Sequence, residues 1–123
     1  MTGDDDSPIC ERGVVVYGAD PFKGAVAARP WLVVSNPEGR AFHGEQYIAL
    51  TPTTRSWMDG LVPIPEARWL EGGTPAERRV APWGVQSLHR EDIEHWQGRL
   101  DQSVVDEAVT LLVEELEQEQ EST

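Results

Sequence analysis

Asp20-Pro21-Phe22-Lys23-Gly24 and, three residues further on, Ala28-Arg29-Pro30-Trp31-Leu32-Val33-Val34-Ser35 decide how this chain is read. A loop rich in Pro and Gly and carrying a lysine leads to an arginine at the mouth of an apolar strand, where a fixed positive charge can meet a phosphate. Upstream, Arg12-Gly13-Val14-Val15-Val16-Tyr17-Gly18 is a β-branched run bounded by glycine, the pattern of a strand buried on both faces. Downstream, the apolar strand stops at the turn sequence Asn36-Pro37-Glu38-Gly39, so the two runs form a hairpin-like pair around the loop.

The same signals continue along the chain. Gln46-Tyr47-Ile48-Ala49-Leu50-Thr51 reads as a third strand, ended or bulged by Pro52, which cannot donate to a ladder; Thr53-Thr54-Arg55-Ser56 then falls at a rim. Leu61-Val62-Pro63-Ile64 and Ala67-Arg68-Trp69-Leu70 are short strand-like pieces, and residues 79–85 form a last strand. Residues 90–96 carry a weak signal for a short helix. Beyond them, Asp101 and Ser103 are both candidate caps, and Leu100, Val104, Ala108, Leu111, Leu112 and Leu116 lie along one helical face. Glutamates crowd the end of that helix, where the macrodipole disfavours them, so it is expected to fray from about Gln118. Many short strands followed by one amphipathic helix predict a mainly β protein, a small barrel or sandwich with a C-terminal α-helix packed on it.

Composition narrows the class. The chain has 123 residues, enough for one domain whose core needs neither disulfide nor metal. Cys10 is the single cysteine and reads as an ordinary reduced thiol. No apolar run approaches the ~20 residues that span a bilayer, and Asp4-Asp5-Asp6 stands where a signal peptide would carry Lys or Arg. A cytoplasmic protein without a membrane segment is expected.

The net charge of -12 argues against a nucleic-acid partner until its distribution is read. Residues 12–90 carry a net charge of +2, whereas residues 1–11 contribute -4 and residues 91–123 contribute -10. The acidity is therefore concentrated at the ends, as solvated tails and an acidic helix. One Lys beside nine Arg and 22 carboxylates also fits an organism with a salt-rich cytoplasm, where surface acid preserves solubility. Residues 1–10 are expected to be a disordered acidic tail, residues 11–118 the folded unit with its helix, and residues 119–123 a second disordered tail.

Taken in order, the strand Gly13 to Gly18, the loop Asp20-Pro21-Phe22-Lys23-Gly24, the segment Arg29-Pro30-x-Leu32-Val33-Val34-Ser35, the Thr53-Thr54 pair and Gly98-Arg99-Leu100 before the helix resemble the MazF/PemK toxin family. The resemblance covers roughly residues 11–116. It implies a small SH3-like β-barrel that acts as a homodimer. It further implies the toxin of a type II toxin–antitoxin module, held in check by a cognate antitoxin, cutting single-stranded RNA without metal or other cofactor through attack of the ribose 2'-OH.

Carried over residue by residue, the resemblance puts the catalytic arginine at Arg29 and the catalytic threonine at Thr53 or the adjacent Thr54. The chemistry agrees. An arginine stays protonated and offers a fork of donors, suited to charge growing on phosphoryl oxygens and unsuited to proton abstraction. Phe22 and Lys23 on the loop either stack a base and hold a phosphate or simply cover the barrel mouth; Arg55 and Trp57 are the corresponding RNA-binding candidates at the opposite rim. Trp31, Trp69 and Trp83 are expected in the core or a dimer contact. Arg78 and Arg79 either extend a basic surface or solvate the start of a strand. His43, His89 and His95 lack ligand spacing, and His43 and His95 are read as exposed before they are read as acid–base groups. Ala28 stands where such toxins commonly carry a basic residue. The alternative function is a catalytically silent barrel that binds RNA or a protein.

Overall fold

The computed structural model describes residues 11–20, 24–35, 45–53, 60–74 and 78–117. The two expected tails, Phe22, Lys23, His43, Thr54, Arg55 and Trp57 lie outside the described residues.

Among the described residues seven strands form one antiparallel sheet: β1 Val14–Asp20, β2 Gly24–Val33, β3 Gln46–Thr53, β4 Val62–Pro63, β5 Trp69–Gly72, β6 Arg79–His89 and β7 Ile93–Leu100, followed by helix α1 Gln102–Leu116. The spatial order is β4-β6-β3-β2-β1-β7-β5. The hairpin expected around the first loop is present, with Val15 opposite Leu32 and Gly18 opposite Arg29. Val15, Leu32, Leu50, Val80 and Leu100 come from five strands and share one buried cluster with Val62 of β4 and with Val104, Val105 and Ala108 of α1. Trp69 of β5 packs on the same cluster. Both edges of the sheet thus turn toward one core, and the sheet curls into a half-barrel with the helix laid into it. The barrel expectation holds.

Because side chains alternate across a strand, the opposite face gathers a second set, Val14, Val16, Trp31, Ala49 and Leu88, with Ile93 packed on it. This explains why β1 is buried on both sides, with Val14, Val15 and Val16 all in the core.

At its start the helix is fixed by Asp101, whose carboxylate accepts from the Ser103 backbone N–H at 2.8 Å. Of the two candidate caps it is Asp101 that serves. Arg12 ties the helix to the sheet: its guanidinium donates to the Val34 carbonyl at 3.2 Å and pairs with Asp106, while the Gln102 side chain donates to the Arg12 carbonyl at 3.1 Å.

Three local expectations are corrected. Residues 90–96 hold a single 3-10 turn, Arg90–Asp92, and then enter β7, with no helix. Bulges opposite Val15/Val16 and Tyr17/Gly18 break the two-residue alternation of β7, erasing the pattern by which a strand is recognised. β6 runs on to His89, four residues beyond the expected end. On the helix, Leu116 is 73% exposed and Val105 is buried in its place, because the helix outruns the core after Leu112. Trp31 is buried in the core, and Trp83 lies at the surface, where the dimer-contact alternative of its expectation would place it.

Two glycines close the β5 edge. Gly72 has φ +67 and faces Gly98, and a Cβ on either would collide with backbone of the other strand.

Candidate functional site

Arg29 lies in β2, two residues before Trp31, and two-residue spacing puts both side chains on one face of the strand. Its guanidinium carbon stands 5.8 Å from the centre of the Trp31 ring, within cation–π range. Trp31 is itself fixed, 2% exposed in the core, with its Nε1 donating to the Gly18 carbonyl in a long bond of 3.4 Å. From this platform Arg29 reaches across to β3, where Nη2 donates to the Pro52 carbonyl at 3.3 Å. The arginine is therefore half-buried and braced by three strands: carried on β2, stacked on a ring pinned to β1, and bonded to β3.

Thr53 is the last residue of β3. In the β2–β3 ladder Leu32 faces Leu50 and Val33 faces Ala49. The paired ladder ends at Leu32 and Leu50, and beyond it Arg29 reaches the Pro52 carbonyl, which belongs to the peptide joining Pro52 to Thr53. The residue that sequence reading took as a strand breaker has a place here: Pro52 is fully buried opposite Val80, and its free carbonyl meets Arg29. Thr51, one turn of the pleat earlier, donates its hydroxyl to the Gly84 carbonyl at 3.2 Å, so it is committed to β6.

Arg78, immediately before β6, belongs to the same end. Thr53 pairs with Arg79, which brings Arg78 beside the end of β3. Burial, and next the positive charge of Arg29, hold the Arg78 guanidinium below its ordinary pKa, with Tyr17 acting in the opposite sense. Tyr17 in turn stacks on His95, ring centres 5.1 Å apart and planes inclined by 20°. Sequence reading did not assign Arg78 or this ring pair to the site. The Arg78-Arg79 doublet at a strand start was the available signal; its nearness to Arg29 arises only when β2, β3 and β6 lie side by side.

Of the residues singled out from sequence, Arg29 thus meets the peptide that precedes Thr53. His95 is exposed, as is His89. Among the described residues no cluster of three or more His, Cys, Asp or Glu could hold a metal ion, and no helix is long and apolar enough to cross a membrane.

No family model and no curated protein matches the sequence. Solved structures do. An endoribonuclease in complex with its cognate antitoxin, from a mycobacterial species, superposes with a TM-score of 0.68 at 21% identity, over 89% of this chain and 95% of that one. MazF from Deinococcus radiodurans gives 0.67 at 20% identity over 89% and 98%, and the MazE–MazF complex from the same organism 0.68 at 19% over 89% and 97%. The likeness spans nearly the full length of both partners in each comparison. A curled antiparallel sheet holding a C-terminal helix is the fold that this chain shares with these MazF structures.

Proposed function

We propose that the chain is an endoribonuclease toxin of a type II toxin–antitoxin pair, cutting single-stranded RNA without a metal ion. The observation that carries the reading is the bracing of Arg29 between the Trp31 ring and the Pro52 carbonyl beside Thr53, in a fold shared with proteins described as endoribonucleases, one of them in complex with its cognate antitoxin. In the reaction the ribose 2'-OH attacks the neighbouring phosphorus. The 2'-O–P bond forms as the P–O5' bond breaks, the 2'-OH proton is lost and a proton reaches the departing O5', leaving a 2',3'-cyclic phosphate and a 5'-hydroxyl.

Negative charge grows on the phosphoryl oxygens as this proceeds. A guanidinium held by a ring and a carbonyl needs little reorganisation to meet that charge, which is the condition for electrostatic catalysis. Arg29 takes that role, and the hydroxyl of Thr53, or of the adjacent Thr54, donates to a phosphoryl oxygen or aligns the 2'-OH. Phe22, Lys23, Arg55 and Trp57 hold flanking nucleotides by stacking and charge.

The protein works as a homodimer in the cytoplasm. Exposed Ile48 and Val85 on adjoining strands, with Val113 and Leu116 on the helix, supply apolar surface for the second copy. The acid-rich exterior suits a salt-rich cell interior.

Incubating the purified protein with mixed single-stranded RNA in EDTA and mapping the ends tests the proposal. Cyclic phosphate and 5'-hydroxyl ends are expected, and Arg29→Ala is expected to abolish them while leaving the circular dichroism spectrum unchanged. Intact RNA at both low and high salt, or full cleavage by Arg29→Ala, would refute it.

A further inference from the structure

We infer that Arg79 grips a backbone phosphate of the RNA strand that lies against Thr53. The inference rests on the reading of this end of the sheet as an RNA-cleaving site and extends it to an arginine to which the family resemblance gives no role.

Register comes first. Arg79 is the first residue of β6, and in the β3–β6 ladder it stands directly opposite Thr53. Directly opposed residues of an antiparallel pair send their side chains to the same face, with Cβ atoms about 4.5–5.5 Å apart. The Thr53 hydroxyl and the Arg79 guanidinium therefore rise from neighbouring points on one surface. The longer arginine stem carries its donors outward from there, so an RNA strand that meets the threonine passes the arginine as well.

The surroundings of Arg79 are the second argument. On its other side it pairs with Pro63 of β4. Neither cross-strand neighbour is a carboxylate, and neither is Thr51, the next residue along the same face of β3. That is unusual in a chain with 22 carboxylates, where Arg12 meets Asp106, Arg68 meets Asp101, and Arg99 meets both Glu11 and Glu71. Among the described residues Arg78 and Arg79 form no ion pair, so two uncompensated guanidiniums stand at the start of β6.

Access separates the two. Arg78 precedes the strand, outside the ladder, and its Nε is shut off from solvent. Arg79 lies in the ladder, is half-buried, and has no side-chain nitrogen closed off without a partner. Its donors can therefore be reached by a ligand arriving on the Thr53 face. Arginine suits a phosphate better than lysine does, since its planar fork can give two parallel donors to one anion. The contact forms with the bound strand before any bond changes, so it contributes to affinity and to placing the phosphate at Thr53.

The test uses a mixed-sequence 2'-O-methyl RNA oligonucleotide, which lacks the attacking hydroxyl, and measures its affinity for the full-length protein by fluorescence anisotropy across a salt series. Arg79→Gln is expected to weaken binding about tenfold, the loss of one charge-assisted contact. The slope of log affinity against log salt should fall in magnitude by about 0.7, the share of one phosphate contact on a single strand. Arg79→Lys should keep the wild-type slope and recover only part of the affinity. Arg99→Gln removes the same charge beside Glu11 and Glu71 and should change neither quantity. Should Arg79→Gln fail to fold, Arg79→Lys decides alone, and wild-type affinity in that variant overturns the inference.

Wild-type affinity and slope in a folded Arg79→Gln overturn it too, as does equal weakening by Arg99→Gln or an absence of binding by the unaltered protein. Cleavage of the matching 2'-hydroxyl RNA is scored separately. Binding that depends on Arg79 in a protein that cuts nothing sustains the phosphate contact and removes the enzyme. Cleavage with wild-type affinity in Arg79→Gln removes only the contact at Arg79.

Discussion

Replacing Trp31 by Phe tests the link between core and site, because one indole ring serves both. The ring is 2% exposed, its Nε1 donates to the Gly18 carbonyl, and its face carries the Arg29 guanidinium. Phe keeps an aromatic face but removes roughly two buried carbons, worth about 0.8 kcal/mol each, and a hydrogen bond whose net contribution is about 1 kcal/mol. The weaker cation–π contact at a partly buried site subtracts about another 0.5 kcal/mol. The expected loss is therefore about 3 kcal/mol, a large part of the 5–15 kcal/mol that holds a typical domain together. Urea unfolding at fixed protein concentration, followed by circular dichroism, reads it as a lower midpoint with an unchanged slope. Cleavage at a urea-free temperature where the variant is folded should fall as well, through kcat more than KM, because the arginine loses its platform. A midpoint shift below about 0.5 kcal/mol, or normal kcat in a clearly destabilised variant, would refute the idea that this ring braces Arg29.

Two further outcomes concern the helix and the edge of the sheet. Asp101 sits below its ordinary carboxyl pKa because the Ser103 backbone N–H, then the Ser103 hydroxyl, and then Arg68 favour its charged form against desolvation. A depressed folded value means that its stabilisation is complete above the unfolded value near 4 and disappears as pH falls through the folded one, so thermal melts of Asp101→Asn should lie below the parent near pH 7 and converge on it in acid, with a shallower decline below about pH 4; parallel curves would refute the cap. Gly98→Ala drives a methyl into the Glu71 carbonyl and the Trp69 ring, and should lower stability by about 2 kcal/mol in the same urea assay, with a neutral result refuting the close β5–β7 approach.

Much of this architecture is legible before any coordinate is seen, and the reasons differ by element. β1, β3 and the end of β2 announce themselves because Val14-Val15-Val16, Ile48-Ala49-Leu50 and Leu32-Val33 are short apolar runs with punctuation nearby, whereas the first seven residues of β2, Gly24 to Pro30, lack such a run and were not read as strand. β7 does not, since two bulges shift its register and residues 94–96 are exposed and of mixed polarity. The helix was legible in extent, and its cap as a choice between Asp101 and Ser103, but not in which residues at its end meet the core, which depends on where the sheet stops. At the site, Arg29 and Thr53 could be chosen from the order of motifs. Arg78 could not, because nothing local to Arg78 records that Arg29 will stand beside it; that knowledge is held in the pairing of β3 with β6.

The strand order has a consequence for timing. The first strand made, β1, lies between β2 and the last strand made, β7, and just before it the Gly13 carbonyl accepts from the Leu100 N–H, joining distant parts of the chain. Contacts of such long sequence separation form slowly, because closure of the intervening chain has to come first. A ribosome therefore releases almost the whole polypeptide before Val15 and Val16 can be covered on both sides. During synthesis that valine stretch stays uncovered on one side until β7 is made.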